Sequence, residues 1–394
     1  MIAPSNLPRA LYIGDVPVES SVAGAMLLYR LLLHYPADRL VVVQSEHSRI
    51  IHGPRLPGVR YETYHQPWDW STYTRFNRVG GSIRYFAAMR RATEVVELAA
   101  GFDAQVVLTV AHGYTWITAA AFARRQRLPL HLIVHDHVPD TVNVPAAIGR
   151  QVWRTFKAAY VEAASRWCIS PNMAEAYGVL GKPASVLFPL RSSILPAYDS
   201  PPQRLKSRSA PLVFGYLGSI GSGAYAGMLA KLAQVIEPSG GRLVLYAGPN
   251  PPRSLTVHHN VDSRGFIPQA QVLSVLRDNV DVLVLPMSFD PLDRRNVEFS
   301  FPTKVTDYTA ACLPILVWGP SYSSIVKWAE ANPGTADIVL DESLTAIDGA
   351  AKRMSDPEWR WRLALTAASV GTAFFSHDIL APRFLDSIAR VRNP

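Results

Sequence analysis

Apolar residues in this chain form short, nearly continuous runs that alternate with longer stretches in which they recur every three or four positions. Such short runs are typical of strands buried on both faces of a parallel sheet. The longer periodic stretches predict amphipathic helices that cover those faces. The predicted strands of the first half lie at 10–13, 40–43, 105–110, 130–134 and 166–169.

The same alternation restarts after a segment rich in proline, serine and charge, which is typical of a linker. The predicted strands of the second half lie at 212–217, 242–246, 261–267, 281–286 and 314–318. Because 394 residues are too many for one ordinary core, we predict two doubly wound α/β domains. The predicted parts are a first domain at 1–190, a linker at 191–210, a second domain at 211–370 and a C-terminal helix at 371–394 that packs back on the first domain.

Composition narrows the setting in which the protein works. The formal net charge of +8 favours an anionic partner, which leaves nucleic acid, an acidic membrane and a phosphorylated substrate open. Cys168 and Cys312 lack metal-ligand spacing and are expected to be buried thiols. We expect no apolar run as long as a membrane span and no secretory signal, hence a cytoplasmic protein.

Parallel sheets bind ligands at the carboxyl ends of their strands, where helix N-termini point. The glycine-rich loop after the strand at 212–217 fits that position, with Gly218, Ser219 and Gly221 able to bring the backbone close to a phosphate. The alternative is a tight strand-to-helix turn without a ligand.

A second candidate lies at 300–320, where Pro302 suits the first turn of a helix and Ser300 could cap it. Lys304 would then lie near a helix N-terminus, where its charge is unfavourable unless an anion binds nearby. Asp307, three residues on, could bind the two hydroxyls of a ribose. The alternative is an ion pair on a solvated helix.

A third candidate is His135-Asp136-His137 at the end of the strand at 130–134. A histidine there can hydrogen-bond a sugar hydroxyl, and a carboxylate can act as a base or orient a neighbour. Successive side chains on an extended segment point to opposite faces, so we expect no metal site. The alternative is a histidine whose partners are all backbone groups.

At these residues the sequence resembles the GT-B glycosyltransferases, in particular bacterial family 4-like enzymes that use sugar nucleotides. The resemblance implies two Rossmann-like domains facing each other across a cleft. It also implies that His135 meets the donor sugar, with Asp136 and Lys304 as further catalytic groups. The residues implied to bind the donor are Gly24, Gly218, Ser219, Gly221, Gly265, Phe266, Ile267, Ser300, Thr303, Lys304 and Asp307.

The family's stereochemistry stays open in this sequence. Retaining members commonly carry Glu-x7-Glu, and here Asp307 matches the second acid whereas Phe299 falls on the first, with Glu298 one residue before it. Inverting members need a base in the acceptor domain, for which Asp136 and Glu19 are candidates. Positive charge for the diphosphate could come from Lys304, Arg294 or Arg295.

Residues 66–91 combine five arginines and six aromatic residues with a single acid, Asp69. Aromatic rings suit the headgroup level of a membrane and arginines suit anionic lipid. We expect contact with the inner face of the cell membrane or with a lipid diphosphate, and no nucleic acid. The alternative is an aromatic patch that is partly core.

The resemblance implies transfer of a hexose-type sugar from a nucleoside diphosphate sugar, with UDP favoured over GDP, to a glycan, glycolipid or polyprenyl-linked acceptor in cell-surface polysaccharide synthesis. It implies no metal or other cofactor, because fixed positive groups can stabilise the leaving diphosphate. Two other functions stay open. They are a catalytically silent sugar-nucleotide-binding or scaffold protein and a sugar-nucleotide epimerase on the same fold.

Overall fold

The structure is a computed structural model that describes residues 7–21, 23–46, 53–207, 211–220, 223–248 and 250–390. These residues divide into two compact units. The first lies within Met1–Phe188 and His377–Pro394, and the second lies within Pro189–Ser376.

The first unit is built on a parallel sheet that, over its described residues, has seven strands. Its order is β3-β2-β1-β4-β5-β6-β7, so the chain crosses over between β1 and β4. The strands are β1 Ala10–Gly14, β2 Leu40–Glu46, β3 Arg60–His65, β4 Val106–Val110, β5 Leu130–Val134, β6 Ser165–Cys168 and β7 Ser185–Val186. Strands β1, β4 and β5 are buried at every position, as their apolar runs predict.

Helices of the first unit cover the sheet. Leu11, Val43 and Val107 pack in one core with Ala119 and Phe122 from the helix that follows β4. The helices are α1 Ala23–Leu32, α2 Asn77–Arg90, α3 Ala92–Leu98, α4 Thr115–Gln126, α5 Ala146–Glu162, α6 Pro171–Gly178 and, from the end of the chain, α16 His377–Arg390.

The second unit repeats this plan with a six-stranded parallel sheet over its described residues. The order β10-β9-β8-β11-β12-β13 places the crossover between β8 and β11. The strands are β8 Val213–Leu217, β9 Arg242–Tyr246, β10 Val261–Ser263, β11 Val282–Pro286, β12 Ile315–Trp318 and β13 Asp337–Val339. The helices are α7 Arg204–Ser207, α8 Gly223–Ile236, α9 Arg253–Thr256, α10 Val272–Asn279, α11 Arg294–Phe299, α12 Lys304–Ala310, α13 Ser324–Ala331, α14 Leu344–Arg353 and α15 Pro357–Phe375.

The segment interpreted as a linker, 191–210, belongs to the second unit wherever it is described. Leu205 is completely buried there, and the Arg204 guanidinium donates to the Val280 carbonyl at 2.6 Å and to Asp281 at 3.3 Å. The end of the chain joins the first unit, where Phe384 of α16 contacts the ring of Trp167 in β6.

The expectation that no segment is long and apolar enough to span a membrane is wrong for one stretch. By length and composition alone, Pro357–Arg390 passes that test among the described residues. The stretch is two helices, because Ser376 leaves the helical conformation between α15 and α16. The α15 helix buries Leu363, Ala367 and the whole of Arg360 inside the second unit.

Candidate active site

The carboxyl end of β1 carries Asp15, a buried carboxylate that joins three elements. It accepts hydrogen bonds from Ser45 Oγ at 2.6 Å, Gln66 Nε2 at 2.5 Å and the backbone N–H groups of Tyr114 and Thr115 at 2.6 and 2.9 Å. A carboxylate that receives N–H groups from the start of α4 stabilises that helix N-terminus. Asp15 therefore joins the segments that follow β1, β2, β3 and β4 at the carboxyl end of the sheet, where the chain crosses over.

His112 and Asp136 meet at the same carboxyl end of the sheet. They follow β4 and β5, and His112 Nδ1 lies 3.2 Å from Asp136 Oδ2 with both side chains about two-fifths exposed. Burial on its own would lower the pKa of His112. The hydrogen bond that the His112 ring donates to Asp136 and the charges of Asp136 and Asp15 outweigh the effect of burial and raise that pKa.

His135, the predicted sugar contact, lies beside Gly24 at the start of α1. A Cβ added to Gly24 would be 3.4 Å from His135 Nδ1, so glycine lets the backbone approach the ring. Burial lowers the pKa of His135 to about 4, which keeps the ring neutral. Its Nε2 is buried and has no hydrogen-bond partner in the part of the chain that the structure describes.

The other two candidates of this unit, His137 and Glu19, have other surroundings. His137 contacts the rings of Trp153 and Tyr177, and its Nδ1 lies 3.0 Å from the Tyr177 hydroxyl, so its place is in an aromatic cluster. Glu19 is completely buried, and its backbone forms a bridge with Arg55.

A polar cavity of about 370 Å³ opens at this sheet edge. Arg84 of α2 lies in its wall, almost completely buried, and donates to the Trp68 carbonyl at 2.9 Å and to Thr72 Oγ1 at 3.1 Å. The cavity has the size of a small-ligand site. Its wall is formed by Asp15, Gln66, Asp69, Thr72, Asn77, Arg84, His112, Gly113, Tyr114, Asp140, Thr141, Val142 and Asn143.

The segment 66–91 has two sides. Its inner side is core, because Arg84 and Tyr85 are buried. On its outer side Trp70 is 59% exposed and stacks with Trp68, with ring centroids 5.3 Å apart, and Tyr73 is 74% exposed. The inner residues are therefore core, and the contact of the outer rings with a membrane stays a prediction.

In the second unit, Gly218 and Lys304 lie together at the crossover between β8 and β11. Gly218 has φ +113°, and a Cβ there would be 3.5 Å from Lys304 Nζ. The amine also lies 3.9 Å from the centre of the Tyr216 ring. Loss of water around the amine lowers the pKa of Lys304 to about 7.

The prediction that Ser300 caps the helix carrying Lys304 is wrong. The α12 helix begins at Lys304 itself, and Thr303 precedes it without a side-chain cap. Ser300 Oγ instead donates to Asn296 Oδ1 at 2.8 Å, because Ser300 ends the preceding helix α11. The Thr303 carbonyl accepts from the Thr306 hydroxyl at 2.8 Å.

Asp307 lies in the first turn of α12, near Arg191. The guanidinium of Arg191 is buried and donates to Thr372 Oγ1 at 2.8 Å. Burial lowers the pKa of Arg191 to about 10, against the charge of Asp307, which raises it. Asp307 thus has a fixed cation beside it.

Gly265, Phe266 and Ile267, which the resemblance implies to bind the donor, follow β10. Gly265 has φ +72° with open space beside it, which suits glycine. Phe266 is 63% exposed, and its ring lies 3.7 Å from a Cβ built on Gly248. Ile267 is partly buried and Ser219 is exposed. Gly221 lies outside the described residues.

Arg294 and Arg295, the other candidates for the positive charge beside the diphosphate, lie on α11. Arg294 lies 4.6 Å from the centre of the Tyr322 ring and pairs with Glu298 at 3.7 Å. Throughout 7–21, 23–46, 53–207, 211–220, 223–248 and 250–390, no group of three histidine, cysteine or acidic residues lies close enough to hold a metal ion.

Three residues at these sites were not among the candidates from the sequence. His112 carried a usable signal, because it follows an apolar strand just as His135 does. Arg84 lay inside the segment interpreted as a membrane surface, and Arg191 lay at the start of the supposed linker. Nothing in the local sequence around Arg84 or Arg191 indicates that either side chain would be buried.

No family model matches the sequence, and neither does any curated protein sequence. Solved structures match over nearly the whole chain. HepE of Anabaena, in complex with UDP and glucose, gives a TM-score of 0.68 at 13% identity, covering 98% of this chain and 100% of that one. Sucrose-phosphate synthase from Thermosynechococcus elongatus gives 0.66 at 14% identity, covering 97% and 98%.

The lipopolysaccharide outer core galactosyltransferase WaaB is also similar, with a TM-score of 0.63 at 13% identity over 96% of this chain and 98% of that one. All three structures have the GT-B fold. The two parallel sheets and their helices agree with it, so the present chain has the GT-B fold.

Proposed function

We propose that this chain is a glycosyltransferase that moves a hexose-type sugar from a nucleoside diphosphate sugar to a glycan, glycolipid or polyprenyl-linked acceptor in cell-surface polysaccharide synthesis. The observation that carries the proposal is the Lys304 amine against Gly218 at the crossover of the second sheet. Ligands of open parallel sheets bind at this point. The GT-B fold supports the proposal.

In this proposal the second unit binds the donor. Lys304 and the backbone around Gly218 hold the diphosphate and stabilise the charge that develops on it as the glycosidic bond breaks. Asp307 receives the ribose hydroxyls, and the exposed ring of Phe266 stacks on the base. UDP is the favoured nucleotide, because HepE was crystallised with UDP-glucose and a similar trehalose-phosphate synthase is UDP-forming.

The first unit binds the acceptor in this proposal. Neutral His135 donates or accepts a hydrogen bond at a sugar hydroxyl, and the polar cavity lined by His112 and Arg84 takes the acceptor. We further propose that the exposed aromatic residues of 66–91, with Arg75 and Arg78, contact the anionic inner face of the cell membrane. A lipid-linked acceptor would be reached from that position. The reaction needs no metal ion, because Lys304 supplies the positive charge.

The test is thermal unfolding of the protein with UDP, GDP, ADP and CMP, alongside the variants Lys304→Ala and Asp307→Ala. A nucleotide at 100 times its dissociation constant stabilises the folded state by about 2.7 kcal/mol. UDP should stabilise the wild type and neither variant. Lys231→Ala is the matched control, because Lys231 is a partly exposed lysine of the same unit that pairs with Glu342.

A second measurement separates the rival functions. Incubation with UDP-glucose should release UDP. An epimerised sugar nucleotide would instead indicate an epimerase, and stabilisation by UDP without turnover of any sugar nucleotide would indicate a silent binding protein. Absence of stabilisation by all four nucleotides would contradict the proposal.

A further inference from the structure

A second cavity of the first unit, a groove of about 460 Å³, lies between α2, α4 and α5 and shares no residue with the polar cavity. Small or apolar side chains form much of its lining, among them Ile117 and Ala121 of α4 and Ala158 of α5. Met89 of α2 also lines it and is 42% exposed. The volume is that of a small-ligand site, and this lining suits an apolar chain.

Hydrogen bonds join the three helices around the groove. The Thr118 hydroxyl of α4 donates to the Ala88 carbonyl of α2 at 2.9 Å. The Thr155 hydroxyl of α5 donates to the Gln151 carbonyl at 3.0 Å, so it accepts from the hydroxyl of the buried Tyr85 of α2 at 3.1 Å. The groove is therefore bounded by helices that are fixed to one another.

The lining of the groove contains one cation without a partner. Arg154 is exposed and makes no hydrogen bond, ion pair or ring contact with the residues that the structure describes. The other arginine of the lining, Arg124, pairs with Glu162 at 2.6 Å. Glu162 is the single acid in α2, α4 and α5. Arg154 therefore gives the groove an uncompensated positive charge.

The two helices on either side of the groove differ in chemical character. The exposed basic residues of α5 recur at i, i+4 and i+7, which places them on one helical face; they are Arg150, Arg154 and Lys157. The apolar residues that α2 exposes also share a face; they are Val79, Phe86 and Met89. An apolar face beside a basic face suits a ligand that has both an apolar chain and a negative charge.

We propose that this groove binds one anionic phospholipid, with the phosphate on the Arg154 guanidinium and an acyl chain against the apolar lining. A guanidinium matches a phosphate in both charge and geometry. A nucleic acid or a free anion would leave the apolar lining without a partner. The groove also continues the exposed surface of 66–91, because Met89 belongs to both. This binding rests on the proposed membrane contact of the first unit and gives that contact a specific lipid.

The experiment is titration calorimetry with dihexanoylphosphatidylglycerol below its critical micelle concentration, so that single lipid molecules bind and no membrane is present. The proteins are the wild type, Arg154→Gln, Ala158→Leu and Arg125→Gln. Glutamine removes the charge and keeps a hydrogen-bond donor, and leucine at the exposed Ala158 fills the groove without changing the core. Arg125 is an exposed arginine of α4 outside the groove lining and serves as the matched control.

Arg154→Gln should raise the Kd of the lipid by about 10-fold, because a charge-assisted hydrogen bond is lost. Ala158→Leu should also weaken binding, because the acyl chain loses its space while the charge remains. Arg125→Gln should bind like the wild type. Glycerol phosphate, which has no chains, and dihexanoylphosphatidylcholine, which has no net charge, should both bind the wild type much more weakly.

The inference would be overturned if the wild type did not bind the lipid, or if both groove variants bound it as the wild type does. Equal affinity for glycerol phosphate or for the phosphatidylcholine would overturn it as well. The double variant Trp70→Ser/Phe76→Ser should bind the soluble lipid normally, because these exposed rings do not line the groove. Loss of soluble-lipid binding in that variant would place the lipid on the rings and contradict the groove.

Failure of this inference can be told from failure of the proposed function. Thermal stabilisation by UDP is measured for each protein, and Arg154→Gln and Ala158→Leu should be stabilised like the wild type. A wild type that is stabilised by UDP but does not bind the lipid would overturn this inference alone. A wild type that binds the soluble lipid through Arg154 but not anionic vesicles would support the groove and contradict the proposed membrane contact.

Discussion

At the scale of single residues, the pKa of the Lys304 amine depends on its surroundings more than on its residue type. A lysine at the first position of a helix is unfavourable for the helix dipole, and here the amine also lies over an aromatic ring and next to Gly218. Lack of water lowers its pKa to about 7, so the free protein holds this amine near the point of deprotonation. A bound diphosphate would raise that pKa again.

This linkage predicts proton uptake when UDP binds. Above about pH 7.5 the amine of the free protein is mostly neutral and UDP is fully ionised, so protonation of Lys304 should accompany binding and the affinity for UDP should fall as pH rises to about 9. Calorimetry in two buffers of different ionisation enthalpy measures the uptake. Lys304→Arg, which stays charged, should bind UDP without this uptake. Equal proton release or uptake in both proteins would contradict the prediction.

At the scale of elements, the position of α12 depends on one tyrosine. The hydroxyl of Tyr308 accepts from the backbone N–H of Leu217 in β8 at 2.9 Å and donates to the Val284 carbonyl in β11 at 3.2 Å. It therefore joins the helix that carries Lys304 to both strands of the crossover. Without the hydroxyl, the Leu217 N–H and the Val284 carbonyl each lose this hydrogen-bond partner.

Tyr308→Phe should lower the free energy of unfolding by about 1–3 kcal/mol, because a buried N–H and a buried carbonyl lose a partner. It should also weaken UDP binding, since Lys304 is no longer held against Gly218. Denaturant unfolding and UDP titration measure the two effects. Tyr73→Phe, on an exposed tyrosine, is the control and should change neither. An unchanged unfolding curve for Tyr308→Phe would show that the hydrogen bonds of the Tyr308 hydroxyl do not stabilise the folded state.

Element boundaries also show where sequence patterns are weak. Strands β3, β7 and β13, which the apolar pattern does not indicate, all lie at or near a sheet edge. An edge strand is covered on fewer sides, so it needs fewer apolar residues. In β3, for example, a single residue, Tyr64, is buried. The central strands carry continuous apolar runs and are predictable for that reason.

At the scale of the whole molecule, the net charge of +8 and the exposed aromatic residues of 66–91 determine the proposed contact with membrane. The double variant Trp70→Ser/Phe76→Ser should bind less to vesicles of phosphatidylglycerol and phosphatidylcholine, because each ring loses its place at the headgroup level. Binding by the wild type should also weaken at high salt.

Cosedimentation with the vesicles measures this binding. Phe266→Ser, on an exposed aromatic residue of the second unit, is the matched control and should bind like the wild type. Equal binding of the double variant, or equal binding of the wild type to vesicles of phosphatidylcholine alone, would show that this segment is not a surface for anionic membrane.

The sequence by itself determined the class of architecture and the ends of the central strands. Alternating apolar runs and helical periods are local properties, and buried parallel strands leave no other pattern. It also indicated the ends of the two sheets at which Gly218, Lys304 and His135 lie, because the carboxyl ends of parallel strands all lie at the same end of a sheet.

Only the tertiary structure decided which of those residues meet and what charge they carry. His112 and Asp136 are 24 positions apart in the chain, and Lys304 lies 86 positions from Gly218. Their pairing depends on strand order, which local patterns do not specify. The pKa of Lys304 and of His135 depends on how much water is excluded around each ring or amine, and that exclusion exists only once the chain has packed.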